Sequence, residues 1–118
     1  MLAINNLAAL LADHRQDPQS LQKAKELATK LADTNQPALL DTLGWVHYRL
    51  GDYAEAVKVL SGVVEKAPDV PVFNYHLGMA ELKQGNKQAA KEYLTKAVGE
   101  KYTYTGIDEA RKTLAELK

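Results

Sequence analysis

The sequence predicts an all-α fold: an α–α superhelix, or solenoid, of three helical hairpins closed by a C-terminal capping helix. Three observations predict it. A block of residues recurs at a fixed offset, apolar positions inside the block follow helical spacing, and glycine and proline punctuate the blocks at matching places. Leu43 and Leu77, Gly44 and Gly78, Gly51 and Gly85, Ala56 and Ala90, and Leu60 and Leu94 each lie 34 positions apart. Pro37 and Pro71, and Val64 and Val98, keep the same offset. A period of about 34 is the signature of stacked helix–turn–helix units, none of which buries its apolar face alone.

The first segment, Met1 to about His14, has a helical pattern but is apolar nearly all round; between Met1 and Ala12 only Asn5 and Asn6 are polar. Such a helix expects burial on more than one face, yet the first element of an array has a neighbour on one side only. It is therefore expected to self-associate through residues 1–12 or to be disordered alone, as where a longer array has been cut; the plainer alternative is a frayed, Ala-rich start. Residues 17–33 follow as the partner helix, opened by Asp17-Pro18 with proline in the tolerated first turn. Leu21, Ala24, Leu27, Ala28 and Leu31 form its stripe. Leu7 to Ala24 spans 17 positions where Leu43 to Ala56 spans 13, so residues 1–36 read as an irregular repeat with about one extra turn near 14–20.

In the repeat at 37–70, Leu40, Leu43, His47 and Leu50 recur at three- and four-residue steps and share a helical face with Gly44. A mid-helix glycine costs about 1 kcal/mol relative to alanine. Close approach of the paired helix accounts for it, with Ala56 small enough to fit against Gly44. Gly51-Asp52 interrupts the pattern as a turn. Ala56, Leu60, Val63 and Val64 form the second stripe, and Pro68 stops the helix near Ala67. The repeat at 71–104 copies this plan with helices at about 72–84 and 87–98. Thr105-Gly-Ile-Asp108 then has capping-box spacing and opens the closing helix, about 106–117. Ile107, Ala110, Leu114 and Leu117 supply one apolar stripe there, while Glu109, Arg111, Lys112 and Glu116 are expected to face away.

These residues resemble the tetratricopeptide repeat family. Its Leu-Gly pair, turn glycine, small alanine, large apolar residue and closing proline are met by Leu43-Gly44, Gly51, Ala56, Leu60 and Pro68. The next copy meets them with Leu77-Gly78, Gly85, Ala90 and Leu94, but Tyr102 stands at the proline's place. The aromatic usual early in the first helix is Leu40, then Asn74; the usual tyrosine is His47, then Glu81. The run LDTLGWVHYRLGDYAEAV, with YHLGM and GIDEARKTLAEL after it, also resembles the last repeats of large bacterial proteins of this family. Some of those accompany exosortase-type export and polysaccharide systems as lipoproteins, which implies an envelope-facing location.

Composition narrows the function classes. Lys+Arg and Asp+Glu both count 15, so no net positive charge or basic stripe points to nucleic acid. There is no cysteine, so disulfide and thiol chemistry are excluded. No apolar run approaches the roughly 20 residues of a membrane span. No basic region precedes the first apolar residues, unlike a signal peptide. His14, His47 and His76 lack metal-ligand spacing, neither Ser20 nor Ser61 has a neighbouring histidine, and the glycines mark repeat positions rather than a phosphate loop. No cofactor and no catalysis are expected.

The remaining candidate is a binding face. Asp41, Trp45 and Tyr48 lie at i, i+4 and i+7, roughly opposite Leu43 and Leu50, and Tyr75, Met79 and Leu82 are their equivalents 34 positions on. The resemblance implies a concave groove lined by these residues with Arg49 and Lys83, binding a peptide or partner segment; aromatics beside Arg are typical interface anchors. The alternative is that Trp45 and Tyr75 pack between adjacent first helices. A second function class is a terminal structural segment of a longer array that serves assembly. Some relatives clamp the terminal carboxylate of chaperones with lysine, asparagine and arginine. The corresponding places here are Asn5, Ala9, Thr42, Val72 and His76, so no such clamp is expected; acidic residues beside an apolar anchor would instead meet Arg49 and Lys83.

Overall fold

A computed structural model describes residues 18–30, 36–99 and 101–117, and every regular element among them is an α-helix. In chain order these are α1 (Pro18–Thr29), α2 (Pro37–Arg49), α3 (Tyr53–Lys66), α4 (Pro71–Lys83), α5 (Lys87–Ala97) and α6 (Ile107–Leu117). The expected helix at 1–14 and its self-association lie outside the described residues. α2 packs on α3 and α4 on α5 as hairpins, α3 packs on α4, and the first helices α2, α4 and α6 touch in succession. α1 lies against α2.

The hairpins close by the same devices. Pro37 and Pro71 occupy the first turns of α2 and α4, where the missing N–H costs nothing. At the far ends, Gly51 and Gly85 adopt φ of 88° and 89°, a left-handed geometry that glycine takes without a Cβ clash. Gly51 N–H then donates to Tyr48 O and Asp52 N–H to His47 O; Gly85 N–H and Asn86 N–H repeat this to Leu82 O and Glu81 O. The paired bonds satisfy terminal carbonyls in the Schellman manner and turn the chain into the second helix.

Inside each hairpin the Leu-Gly position is where the two helices come closest. A Cβ on Gly44 would fall 2.5 Å from Leu60 Cγ, and one on Gly78 would fall 2.8 Å from Leu94 Cγ. The glycine thus accommodates the large leucine of the second helix, not Ala56 as the spacing suggests. Leu60 and Leu94 are fully buried in consequence.

α6 continues the first-helix register. Leu39, Phe73 and Ile107 are successive equivalents, as are Val46, Ala80 and Leu114, and all six are buried. At the Leu-Gly place α6 carries Arg111-Lys112, both exposed. Charge is suitable there because, among the described residues, no second helix packs over it. Its start differs from the capping-box expectation: the helix begins at Ile107, and Ala110 N–H donates to Gly106 O, one residue past Thr105. Gly106 sits at φ 101°, and a Cβ there would fall 2.5 Å from the ring of Tyr75. Docking on that ring, rather than a hydroxyl cap, sets where the helix starts. Tyr104 O–H donates to Ala97 O at 2.6 Å and Arg111 Nη2 to Gly99 O at 3.2 Å, tying the preceding connection in place.

Candidate interaction face

The side of α2, α4 and α6 away from the Leu-Gly positions carries an aromatic layer. Trp45 stacks on Tyr48 one turn on, with centroids 4.5 Å apart and planes 6° apart. Across the gap between α2 and α4 it meets His76 at 4.0 Å and Tyr75 at 5.4 Å. Tyr75 then contacts Tyr104 at 5.8 Å, and Tyr48 contacts Tyr53 at 5.7 Å. The guanidinium of Arg49 lies 5.3 Å from the Trp45 ring centre, within cation–π range. Its Nε is buried without a hydrogen-bond partner.

A polar clasp lies under this layer. His76 Nδ1 is 2.8 Å from each carboxylate oxygen of Asp41, joining α4 to α2. Both side chains are about nine-tenths covered (11% and 9% exposed), so each gives a buried polar group of the other a hydrogen-bond partner. The sequence places Asp41 on the groove face and His76 at a clamp position; the structure pairs them with each other. Thr42, another clamp position, turns its hydroxyl onto Ala38 O at 3.3 Å.

Burial corrects the open aromatic groove. Trp45 is 4% exposed, Tyr48 8%, Tyr75 2% and Met79 5%, and Asp41 is buried with them. These side chains pack between successive first helices, the alternative the sequence left open. Trp45 and Tyr75 fill this space against His76, and Tyr75 also lies against Gly106. Of the eight expected groove residues, Arg49 and Leu82 are half-buried and Lys83 is exposed. Burial pushes the Tyr48 phenol up to about 12, with the Glu109 charge adding to it. Tyr75 moves up further for the same two reasons, in that order.

Three residues of this face were missed. The offset that links Asp41 to Tyr75, Trp45 to Met79 and Tyr48 to Leu82 leads on to Glu109, Thr113 and Glu116. Glu109 and Glu116 are exposed, away from the apolar stripe of α6, and with Asp108, Lys112 and Thr113 they line a shallow hollow of about 480 Å³. Tyr75 O–H points to Glu109 Oε2 at 3.4 Å, confirming that α6 belongs to the same face. Extending the 34-residue period one step further along the sequence finds all three.

Stacked hairpins, a continuous first-helix layer and a polar outer rim define a helical-repeat scaffold, a class that presents surface rather than chemistry. No group of three or more metal-ligating side chains is assembled among the described residues, and no described helix is long and apolar enough to cross a membrane. The family model for the tetratricopeptide repeat matches residues 42–103, just over half of the sequence. The chain belongs to the tetratricopeptide repeat family. It is 37% identical over 79 residues to a TPR repeat-containing protein of Pseudomonas aeruginosa, a match covering 65% of this chain and 13% of that protein. The chain thus spans a small fraction of the length of the curated relative it matches. Repeats of this family generally mediate protein–protein interaction and form non-catalytic scaffolds.

Proposed function

We propose that this chain is a non-catalytic scaffold that docks a segment of a partner protein across α2, α4 and α6. The observation that carries this reading is the composition of what stays uncovered there. Leu82 is half-exposed and Lys83, Glu109 and Glu116 are exposed, above an aromatic layer that is itself packed. Asp41, Trp45, Tyr48, Tyr75 and Met79 then act as a rigid floor, while Arg49, Leu82, Lys83, Glu109 and Glu116 meet the partner. A partner with an acidic residue toward Arg49 and Lys83 and a basic one toward Glu109 and Glu116 complements this surface; such charges govern specificity and association rate more than affinity. Selection of a displayed random-peptide library against the protein tests this. Binders should lose at least tenfold in affinity for Lys83→Glu and for Glu109→Lys, and binders indifferent to both would overturn it.

A second reading, a structural segment of a longer array, is favoured by the short share of the relative that the chain covers. In that case α6 or the α1 side would pack on further repeats, and the first-helix face would continue into them.

A further inference from the structure

Carboxylates around the first-helix layer are engaged by neighbours in turn. On α2, Asp41 is held by His76 at 2.8 Å; on α4, Glu81 Oε1 accepts from Asn86 Nδ2 at 3.0 Å. On α6, Asp108 lies 3.6 Å from Arg111, and Glu109 faces the Tyr75 hydroxyl at 3.4 Å. After α2, Asp52 stands 3.5 Å from His47 and 3.9 Å from Lys25. Arg49, in the last turn of α2, has no such match. Among the described residues no carboxylate lies within ion-pair distance of its guanidinium.

That guanidinium is nonetheless half-buried and held in place. It lies 5.3 Å from the centre of the Trp45 ring, which Tyr48 and His76 in turn fix by stacking. Nε is sealed off and takes no part in docking, whereas the two terminal nitrogens are not sealed. The open end of the fork is therefore what this face presents. A partly desolvated cation without a counter-charge is unfavourable, and a carboxylate from outside offsets that. A guanidinium fork fits one carboxylate through two parallel N–H···O bonds, which an ammonium does not. Lys83, the equivalent of Arg49 34 positions on, is exposed and offers only a point charge. Glu109 limits how much negative charge the place accepts. Burial is the main reason the Tyr48 and Tyr75 phenols are raised; Glu109 adds to both, and Arg49 opposes it at both. The two charges thus act on the same spot. A singly charged carboxylate suits it, while a phosphate of nearly two charges is repelled by Glu109.

We infer that Arg49 is the specificity-determining residue of the first-helix face, reading one Asp or Glu side chain of the partner segment with its two terminal nitrogens. This rests on the docking reading given above and narrows it to one contact. Affinity is concentrated at that carboxylate beside Trp45, in keeping with the weight that centrally packed arginines and aromatics carry in interfaces. Lys83 only speeds the encounter, as charges at a rim do. A phosphorylated residue is no better a ligand than the acid it replaces.

The probe is the tightest capped peptide from the displayed random-peptide selection, compared with versions in which each Asp or Glu in turn becomes Asn or Gln. One such neutralised position should weaken binding to the wild type at least tenfold, but binding to Arg49→Gln less than twofold. A merely structural role of Arg49 produces no such coupling, because a loosened face weakens every version of the peptide alike. Arg49→Lys, which keeps the charge and loses the fork, should also weaken the parent peptide at least tenfold, chiefly through a faster off-rate. Lys83→Gln should cost less than threefold, through a slower on-rate. Phosphoserine at the critical position should bind no tighter than the acid. A tightest peptide without an acid, losses that simply add, Arg49→Lys within threefold of wild type, or a tenfold gain from phosphoserine would overturn the inference. Peptides that respond to Lys83→Glu and Glu109→Lys but not to Arg49→Lys sink the Arg49 assignment alone. Peptides indifferent to all three sink the docking reading with it.

Discussion

Two seams hold this molecule together, and they obey different rules. Within each hairpin the seam is apolar and repeated: Gly44 receives Leu60 and Gly78 receives Leu94, with the turn glycines at nearly equal φ. Between the hairpins the seam is aromatic and polar and does not repeat. Trp45, Tyr75, His76 and Asp41 meet there once, and the equivalents of Trp45 are Met79 and Thr113. Closing a hairpin demands one geometry, so the same residues serve each time. Stacking one hairpin on the next leaves room for variation, and that is where this chain differs from a generic array.

The sharpest way to break the contrast is Trp45→Ala. A 4%-exposed tryptophan that touches both α2 and α4 should cost roughly 3–5 kcal/mol of stability in denaturant unfolding. A loss below 1 kcal/mol would make Trp45 a binding residue after all and the inter-hairpin seam weak. Leu60→Ala and Leu94→Ala probe the repeated seam, and each should cost ~2–5 kcal/mol. The two values should resemble one another, because both leucines fill the space above a glycine; a difference of several kcal/mol would show that the hairpins are not equivalent.

A smaller effect is expected from the polar clasp. Asp41→Ala leaves His76 buried without its acceptor and should cost roughly 1–3 kcal/mol. His76→Ala in the same background should add little, since the pair acts as one unit. Independent, additive losses would mean that the clasp is incidental to stacking. The gentlest probe is alkaline pH. Burial raises Tyr48 and Tyr104 from the ordinary 10.0 to about 12, and Tyr75 moves in the same direction. A raised phenol favours the folded state fully below pH 10 and loses that contribution as pH climbs toward 12, because the unfolded chain ionises first. Melting temperature should be flat up to about pH 10 and fall through that window, less steeply in Tyr48→Phe and Tyr75→Phe. A fall already complete at pH 9 would point to some other group.

The contrast also explains what could be read from the sequence. The hairpins, their turns and the closing helix were legible because period, glycine and proline are local signals. Spacing assigns a residue to a stripe but cannot choose between positions one turn apart, so Ala56 was set against Gly44 where Leu60 stands. Nor does spacing tell whether a face is covered. Trp45 and Tyr75 share a face whether that face meets solvent or the next helix, and the answer lay in contacts between repeats. Asn74 and Tyr102 were visible as departures, yet nothing in a one-dimensional pattern brings them to line one hollow. Glu109 and Glu116 were hidden for another reason: the period reaches them, but the first-helix face was not followed into α6.

The contact between Tyr75 and Gly106 bears on the order in which the chain assembles. Gly44 and Leu60, like Gly78 and Leu94, are 16 residues apart, whereas Tyr75 and Gly106 are 31 apart. Doubling a loop adds only about 0.6 kcal/mol to its closure entropy, so distance along the chain is a minor obstacle. The greater one is that the Tyr75 ring is held by α2 and α4 together, so the seat for Gly106 exists only after those helices have met. Hairpins built from local contacts form quickly, and α6 docks on a surface that they create, so whatever grips α6 also bears on the α2–α4 pairing beneath it.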